Sequence, residues 1–464
     1  KLNDLIKAEL IIKEAIKLNP RLPNGYCIRG LILKNLNQYN ESKKSLEKAI
    51  KLDANYLDAY INLGLLNKEY NNLNNAEMYY LKAIEINSES AIAHLNLGAC
   101  YKEKQELEKA LFHTEKAINL DSKLENSYLN LASIYNQKGE YIKSLTFAKK
   151  ELTIKQDNEL CYQLICELLK KVGEINFAEK DNRELILNIF YRKDISHREL
   201  FVNLNNIFSN EILNKILSCT GQVYDSKEFN LIVQDKIFTK ALSLLIFSSP
   251  LWEKTLTFIR KNILLSYSDK TSINNKILNF IIALGSQCFL NEYVYYVSYR
   301  EKNKLEKLKD SISFERNQDF KLALISCYQS LYSINNKPIN LNNYKSKNKE
   351  FNNLLNLQFR EIIIENDISN EIQKVGKITN KISKEVKNQY EKNPYPRWRY
   401  NSYAKENKIN FLTVINSEIH PNEVQSNQIK LSNKKLDILI AGCGTGIQIL
   451  EASRYRNCDI TAID

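Results

Sequence analysis

Tyr60-Ile-Asn62-Leu-Gly64, continued by Ala76-Glu-Met78 and by Lys82-Ala83-Ile84, decides the fold, because its small and aromatic positions return every 34 residues. Gly30, Gly64, Gly98 and Ala132 form one such series; Ser42, Ala76, Ala110 and Ser144 form a second; Ala15, Ala49, Ala83 and Ala117 form a third. The register Tyr26, Tyr60, His94, Tyr128 keeps the same step, and Lys-Ala-Ile recurs from Lys48, Lys82 and Lys116. A unit this short cannot bury its own apolar face, so neighbouring units must stack. The small residues mark where two helices of a pair come closest, and the large apolar ones fill the space between units. Four units occupy residues 23 to 158, preceded by the second helix of another that ends near Pro20.

The pattern resembles the tetratricopeptide repeat, two antiparallel helices per unit, and the resemblance implies a curved solenoid with a groove. Two residues before the small residue of the first helix stand Asn62, Asn96 and Asn130. One primary amide offers a donor and an acceptor, which matches one peptide bond. In this respect the array resembles the repeat region of protein O-GlcNAc transferases, and a peptide groove lined by Asn62, Asn96 and Asn130 is the implied partner site. Against it stands the abundance of Asn in this chain and at this repeat position.

From residue 159 to 336 the repeat register fades while apolar residues keep three- and four-residue spacings, which predicts a helical domain. Within it, Gln287–Tyr296 mixes aromatics with Asn291 and Glu292. Glu292 and Tyr293 have two readings, a catalytic or substrate role and a buried polar pair that fixes helix packing; the second is the commoner use of such a pair. Residues 337–388 read as an Asn- and Lys-rich linker with Pro338 near its start, followed by a connecting helix.

Near the C-terminus, Leu436-Asp-Ile-Leu-Ile-Ala-Gly442-Cys-Gly444-Thr-Gly446 predicts a short strand running into a glycine turn and a helix from Ile447 to Tyr455. Ile460-Thr-Ala-Ile463 and then Asp464 predict a second strand that ends in an acid. Such a unit binds a nucleoside-containing cofactor. A dinucleotide fingerprint would need a glycine at the position of Ile447, and the spacing here is G-x-G-x-G. With that spacing the stretch resembles the first motif of class I S-adenosylmethionine-dependent methyltransferases. The resemblance implies S-adenosylmethionine as cofactor, with Gly442, Gly444 and Gly446 under its methionine part and Asp464 on its ribose. Many members carry an acid two residues before the first glycine, and here that residue is Ile440.

Upstream, Gln389-Tyr390-Glu-Lys-Asn-Pro394-Tyr395-Pro396-Arg397-Trp398 is stiff because two prolines flank an aromatic residue. The string resembles one found in bacterial proteins that join tetratricopeptide repeats to a methyltransferase domain, and the layout of the chain matches them. Two roles are open. Tyr390, Tyr395 and Trp398 could line a pocket for the sulfonium cation, with Arg397 on an acidic acceptor, since an aromatic face attracts a cation by roughly 0.5–2 kcal/mol. The alternative is a rigid brace.

The formal charge is +12, but the Lys residues are interspersed with Glu, so a solvated basic surface is expected rather than a nucleic-acid site. Nine Cys without a C-x-x-C pair and four separated His argue against a disulfide framework or a bound metal and fit a reducing cytoplasm. The apolar stretches at Ala241–Phe247 and Ile277–Leu284 are too short to span a bilayer. The only Met is Met78, and the sequence starts inside a repeat helix and stops at a second strand, so a fragment is expected that lacks the catalytic half and is itself inactive. The expected fold is mainly α: a solenoid over 1–158, a helical middle domain over 159–336, a linker over 337–388, and over 389–464 the first β-α-β unit of a Rossmann-like methyltransferase domain. The expected function is methyl transfer to a polypeptide held by the repeats, with a non-catalytic interaction scaffold as the alternative.

Overall fold

The computed structural model of the chain describes residues 2–36, 38–173, 179–195, 197, 200–205, 207–269, 273–312, 318–334, 341–371, 380–382, 384–385, 388, 436–442, 446–453, 455 and 458–463. Two compact units are seen, one built on Lys1–Val172 and the other on Gly173–Tyr403. The described residues are mainly helical, as the periodicity requires.

The first unit is a solenoid of α1 (Leu2–Leu18), α2 (Pro23–Asn35), α3 (Tyr39–Leu52), α4 (Leu57–Glu69), α5 (Leu73–Ile86), α6 (Ala91–Glu103), α7 (Leu107–Leu120), α8 (Ser127–Gln137), α9 (Tyr141–Ile154) and α10 (Glu159–Val172). The pairs α2/α3, α4/α5, α6/α7 and α8/α9 pack side by side, and each second helix packs on the first helix of the next pair. Where the two helices of a pair cross, one side has almost no volume. A Cβ on Gly30 would stand 2.6 Å from Leu46 Cγ, one on Gly64 2.4 Å from the Tyr80 ring, and one on Gly98 2.5 Å from Thr114 Oγ1. In the fourth pair the same two positions are Ala132 and Ala148, both fully buried, so a small residue faces a small one. The Ser residues of the second series tie the pair together: Ser42 Oγ donates to Gly30 O at 2.7 Å and Ser144 Oγ to Ala132 O at 2.6 Å.

The turn between the helices of a pair is built the same way after α4, α6 and α8. Asn71 (φ 60), Gln105 (φ 62), Gly139 (φ 78) and Gly173 (φ 78) sit just past α4, α6, α8 and α10 in the left-handed region. The backbone bonds repeat as well: Asn71 N to Lys68 O and Asn72 N to Asn67 O after α4, Gln105 N to Lys102 O and Glu106 N to Tyr101 O after α6, Gly139 N to Asn136 O and Glu140 N to Tyr135 O after α8. This is a Schellman closure, in which a left-handed residue lets two otherwise unpaired carbonyls find donors. Gly173 occupies the same place after α10, and α10 packs on α8 and α9. The stack therefore runs on past residue 158, where the sequence register was expected to end.

First helices touch the next first helices directly, α2 with α4, α4 with α6, α6 with α8 and α8 with α10. Successive second helices make no comparable contact among the described residues. The stack thus curves with its first helices on the inside.

The second unit lacks a repeat. Its core joins Phe208, Phe238, Phe247 and Trp252, with the Phe238 and Trp252 rings stacked at 4.8 Å and the indole Nε1 donating to Asn205 O at 3.0 Å. A second centre surrounds the fully buried Arg260 of helix Pro250–Ser266, which lies over the Tyr328 ring at 4.2 Å. Its guanidinium donates to Cys327 O and Tyr296 O, and its Nη2 stands 3.9 Å from Glu301 Oε1, which accepts from the Tyr328 hydroxyl at 2.9 Å.

Residues 337–388 were expected to be a linker and a connecting helix, and their described part is different. Leu341, Phe351, Leu355 and Phe359 are fully buried, and Tyr344 Oη donates to Asp319 Oδ1 at 2.8 Å. The helix from Lys349 widens into a π turn over Asn356–Arg360, which turns Gln358 inward to donate to Gly285 O at 2.8 Å. This segment is core of the second unit, held there by burial and by that buried amide.

Near the C-terminus β1 (Leu436–Ala441) pairs in parallel with β2 (Cys458–Ile463), in a register from Leu436 opposite Cys458 to Ala441 opposite Ile463. The helix Ile447–Ala452 lies between them in sequence.

Candidate functional site

The inner face of the solenoid is formed by α2, α4, α6, α8 and α10, and the three expected groove amides differ in their surroundings. Asn62 is half-buried and its Nδ2 donates to Cys27 Sγ at 3.2 Å on the preceding first helix. Asn96 is half-buried, and its side chain makes no hydrogen bond among the described residues. Asn130 is 7% exposed and its Nδ2 donates to Thr114 Oγ1 at 2.9 Å, inside the seam between α7 and α8. The amides are thus not an equivalent ladder. Asn130 is spent on the fold, because Thr114, in place of the larger Leu46 and Tyr80, leaves room and supplies an acceptor.

A different ladder is present. Lys34 Nζ meets Glu69 Oε1 at 2.8 Å, linking α2 to α4, and Lys68 Nζ meets Glu103 Oε1 at 3.3 Å, linking α4 to α6. In each rung a Lys in the last turn of one first helix pairs with a residue 35 positions later. The next rung would pair Lys102 with residue 137, which is Gln137. Beyond it the polarity is reversed, since Lys171 Nζ donates to Asn136 Oδ1 at 3.0 Å, joining α10 to α8. Lys102 is half-buried, and among the described residues it has no acidic partner; burial, with Lys68 adding repulsion, pushes its ammonium down to about 8. The step Lys34, Lys68, Lys102 and the step Glu69, Glu103, Gln137 are visible in the sequence, but which Lys meets which Glu is not.

On α6 His94 occupies the aromatic register, and its Nδ1 lies 3.0 Å from His113 Nδ1 on α7. Its Nε2 lies 3.1 Å from Ser88 O, so in the neutral pair Nε2 of His94 donates to that carbonyl and Nδ1 of His113 donates to His94. The imidazoles stack at 5.2 Å, with Tyr101 stacked on His113 at 5.6 Å. Burial holds both below the ordinary histidine range, His113 at about 4.

In the second unit Glu292 (φ 55) and Tyr293 (φ 56) are consecutive left-handed residues at the end of helix Asn275–Leu290, and Tyr293 N donates to Cys288 O at 2.8 Å. Their backbone closes that helix. At the C-terminal turn Gly442 (φ 69) ends β1 and Gly446 (φ 89) precedes the next helix, conformations that side chains rarely adopt. Ile440 lies opposite Ala462 in the strand pair. Gly444, Asp464, Tyr390, Tyr395, Arg397 and Trp398 lie outside the described residues. Among the described residues no three His, Cys, Asp or Glu side chains gather as a metal site, and no helix is long and apolar enough to cross a membrane.

Residues 23–56 and 57–90 match a family described as tetratricopeptide repeat, and residues 79–112 match a second family of that description. The solenoid is an array of tetratricopeptide repeats, a scaffold of the kind that mediates protein interaction. Among solved structures the chain is similar to MamA, at 25% identity over 33% of this chain and 90% of that one, with a TM-score of 0.30. It is also similar to YrrB, described as a TPR protein with an unusual peptide-binding site, at 23% identity over 34% and 82%, TM-score 0.29. A third is a thermophilic TPR protein of Thermus thermophilus, at 19% identity over 37% and 92%, TM-score 0.33. No curated protein matches the chain.

Proposed function

We propose that the repeat array holds an extended polypeptide along its inner face and that the turn after β1 binds S-adenosylmethionine, making the gene product a methyltransferase that acts on that polypeptide or its complex. The observation that supports the cofactor half is the turn itself. The first of two parallel strands passes into the helix Ile447–Ala452 through a turn that opens with Gly442 at φ 69 and closes with Gly446 at φ 89. Glycines there let backbone N–H groups approach a ligand that a side chain would hold away. Gly444 is the third member of the loop, and Asp464, directly after β2, is in sequence position to accept from the two ribose hydroxyls. The cofactor would supply an activated methyl group, and the protein's contribution to the displacement is position and exclusion of water.

The reading is tested by calorimetric titration of S-adenosylmethionine and S-adenosylhomocysteine into the complete gene product, with Gly444→Asp beside it. Binding that the variant abolishes supports methyl transfer. A folded protein that binds neither ligand overturns it and leaves the second reading, a scaffold whose strand pair does no chemistry. That alternative is favoured by one residue: Ile440 stands where many methyltransferases carry the acid that contacts the methionine part of the cofactor.

A further inference from the structure

The rungs along the inside of the solenoid follow one rule up to α6 and then break it. Lys34–Glu69 and Lys68–Glu103 are closed ion pairs between successive first helices. At the third rung the cation is kept as Lys102 and the acid is replaced by the exposed amide of Gln137, the last residue of α8. Removing an ammonium from water costs free energy unless an anion compensates it. Lys102 is half-buried beside Lys68, whose own partner Glu103 is already engaged, and that cost shows in the depressed affinity of its amine for a proton. Glu103 offsets part of that cost from a distance, but among the described residues no acid closes an ion pair with Lys102, and the fold carries an unpaired ammonium on the face where a polypeptide would run.

We propose that Lys102 is the subsite for an Asp or Glu side chain of an extended polypeptide, which supplies in trans the carboxylate that Glu69 and Glu103 supply in cis at the two preceding rungs. The proposal rests on the polypeptide-binding half of the proposed function. A carboxylate fits better than a phosphate, because the neighbouring Glu103 would repel a dianion. A side chain fits better than a chain end, because the rung spans α6 and α8 with first helices α4 and α10 on either side, so that a bound chain continues along the face in both directions. Ile92, which is 51% exposed, and Asn96, whose amide makes no hydrogen bond among the described residues, lie toward the start of α6 and offer the continuing chain an apolar contact and a peptide partner.

The test uses a library of random twelve-residue peptides displayed as internal inserts and selected on the complete protein. The expected result is an Asp or Glu at one fixed place in the selected peptides. Those peptides should lose at least about tenfold in affinity on Lys102→Met, the loss of a charge-assisted hydrogen bond. They should lose as much on Gln137→Glu, which closes the rung internally and leaves the cation in place. Gln137→Glu lies at an exposed helix end, so its helical circular dichroism should match the wild type, and a binding loss there is not a folding loss. Peptides selected without a fixed acid, or bound equally by wild type and Gln137→Glu, overturn the Lys102 subsite and leave the polypeptide groove standing. A library from which nothing is selected overturns both.

Discussion

Gly64→Ala tests the packing rule that sets the helix-pair spacing. The new Cβ would stand 2.4, 2.6 and 2.8 Å from three carbons of the Tyr80 ring, so ring or helix must move by about 1 Å to restore a contact of roughly 3.5 Å. Tyr80 is fully buried and cannot swing into solvent. Overpacking of this kind costs about 1–3 kcal/mol. Against it, Ala is favoured over Gly inside a helix by about 1 kcal/mol. The net loss is about 1 kcal/mol. In a Tyr80→Ala background the clash is gone and the propensity remains, so the same substitution should stabilise by about 1 kcal/mol. The coupling is then about 2 kcal/mol, far above the few tenths expected of independent sites. The pair it creates is the one the protein already uses at Ala132 and Ala148. Local opening of α4 and α5 reports it: amide hydrogen exchange of peptides from residues 57–86, followed by mass spectrometry, should show protection falling about fivefold in Gly64→Ala and rising about fivefold for the same change beside Tyr80→Ala. An effect of one sign and size in both backgrounds would refute the steric argument.

Arg260→Met should destabilise the second unit by about 3–5 kcal/mol, because Glu301, 1% exposed, would keep its charge without the guanidinium. Adding Glu301→Gln should recover part of the loss. Thermal unfolding followed by Trp252 fluorescence, in a chain with Trp398→Phe, reads both, and equal melting temperatures for Arg260→Met and the wild type would count against the buried pair. The histidine pair makes stability pH-dependent with a defined sign. Burial holds the folded His113 at about 4, below the ordinary value near 6.5, so the unfolded chain binds more protons between those values. The contribution is fully present above about pH 6.5 and is lost as pH falls toward about 4. Melting temperature should drop over that window, and the drop should shrink in His113→Phe.

The 34-residue period was legible because it reports contacts that recur: Gly30 on Leu46, Gly64 on Tyr80, Gly98 on Thr114. Such a contact constrains the same position in every unit, so the chain alone determined the helix pairs, their order and the places where they cross. The left-handed turn positions Asn71, Gln105, Gly139 and Gly173 keep the step too, but only two of the four are glycine, so composition hides a rule that backbone geometry makes plain. The glycine turn after β1 was legible for a related reason, since backbone conformation there demands the residue type. Tertiary structure decided the rest. Asn62, Asn96 and Asn130 are identical in sequence register, yet their hydrogen bonds depend on what lies across the seam, Cys27 for one and Thr114 for another. Whether Lys102 is paired depends on residue 137, one helix away. The second unit has no period to read: Arg260 finds its carbonyls 67 and 36 residues along the chain, and Gln358 finds Gly285 at a separation of 73. Bonds of that range leave no local pattern, which is why residues 341–360 read as linker and connecting helix and fold as core.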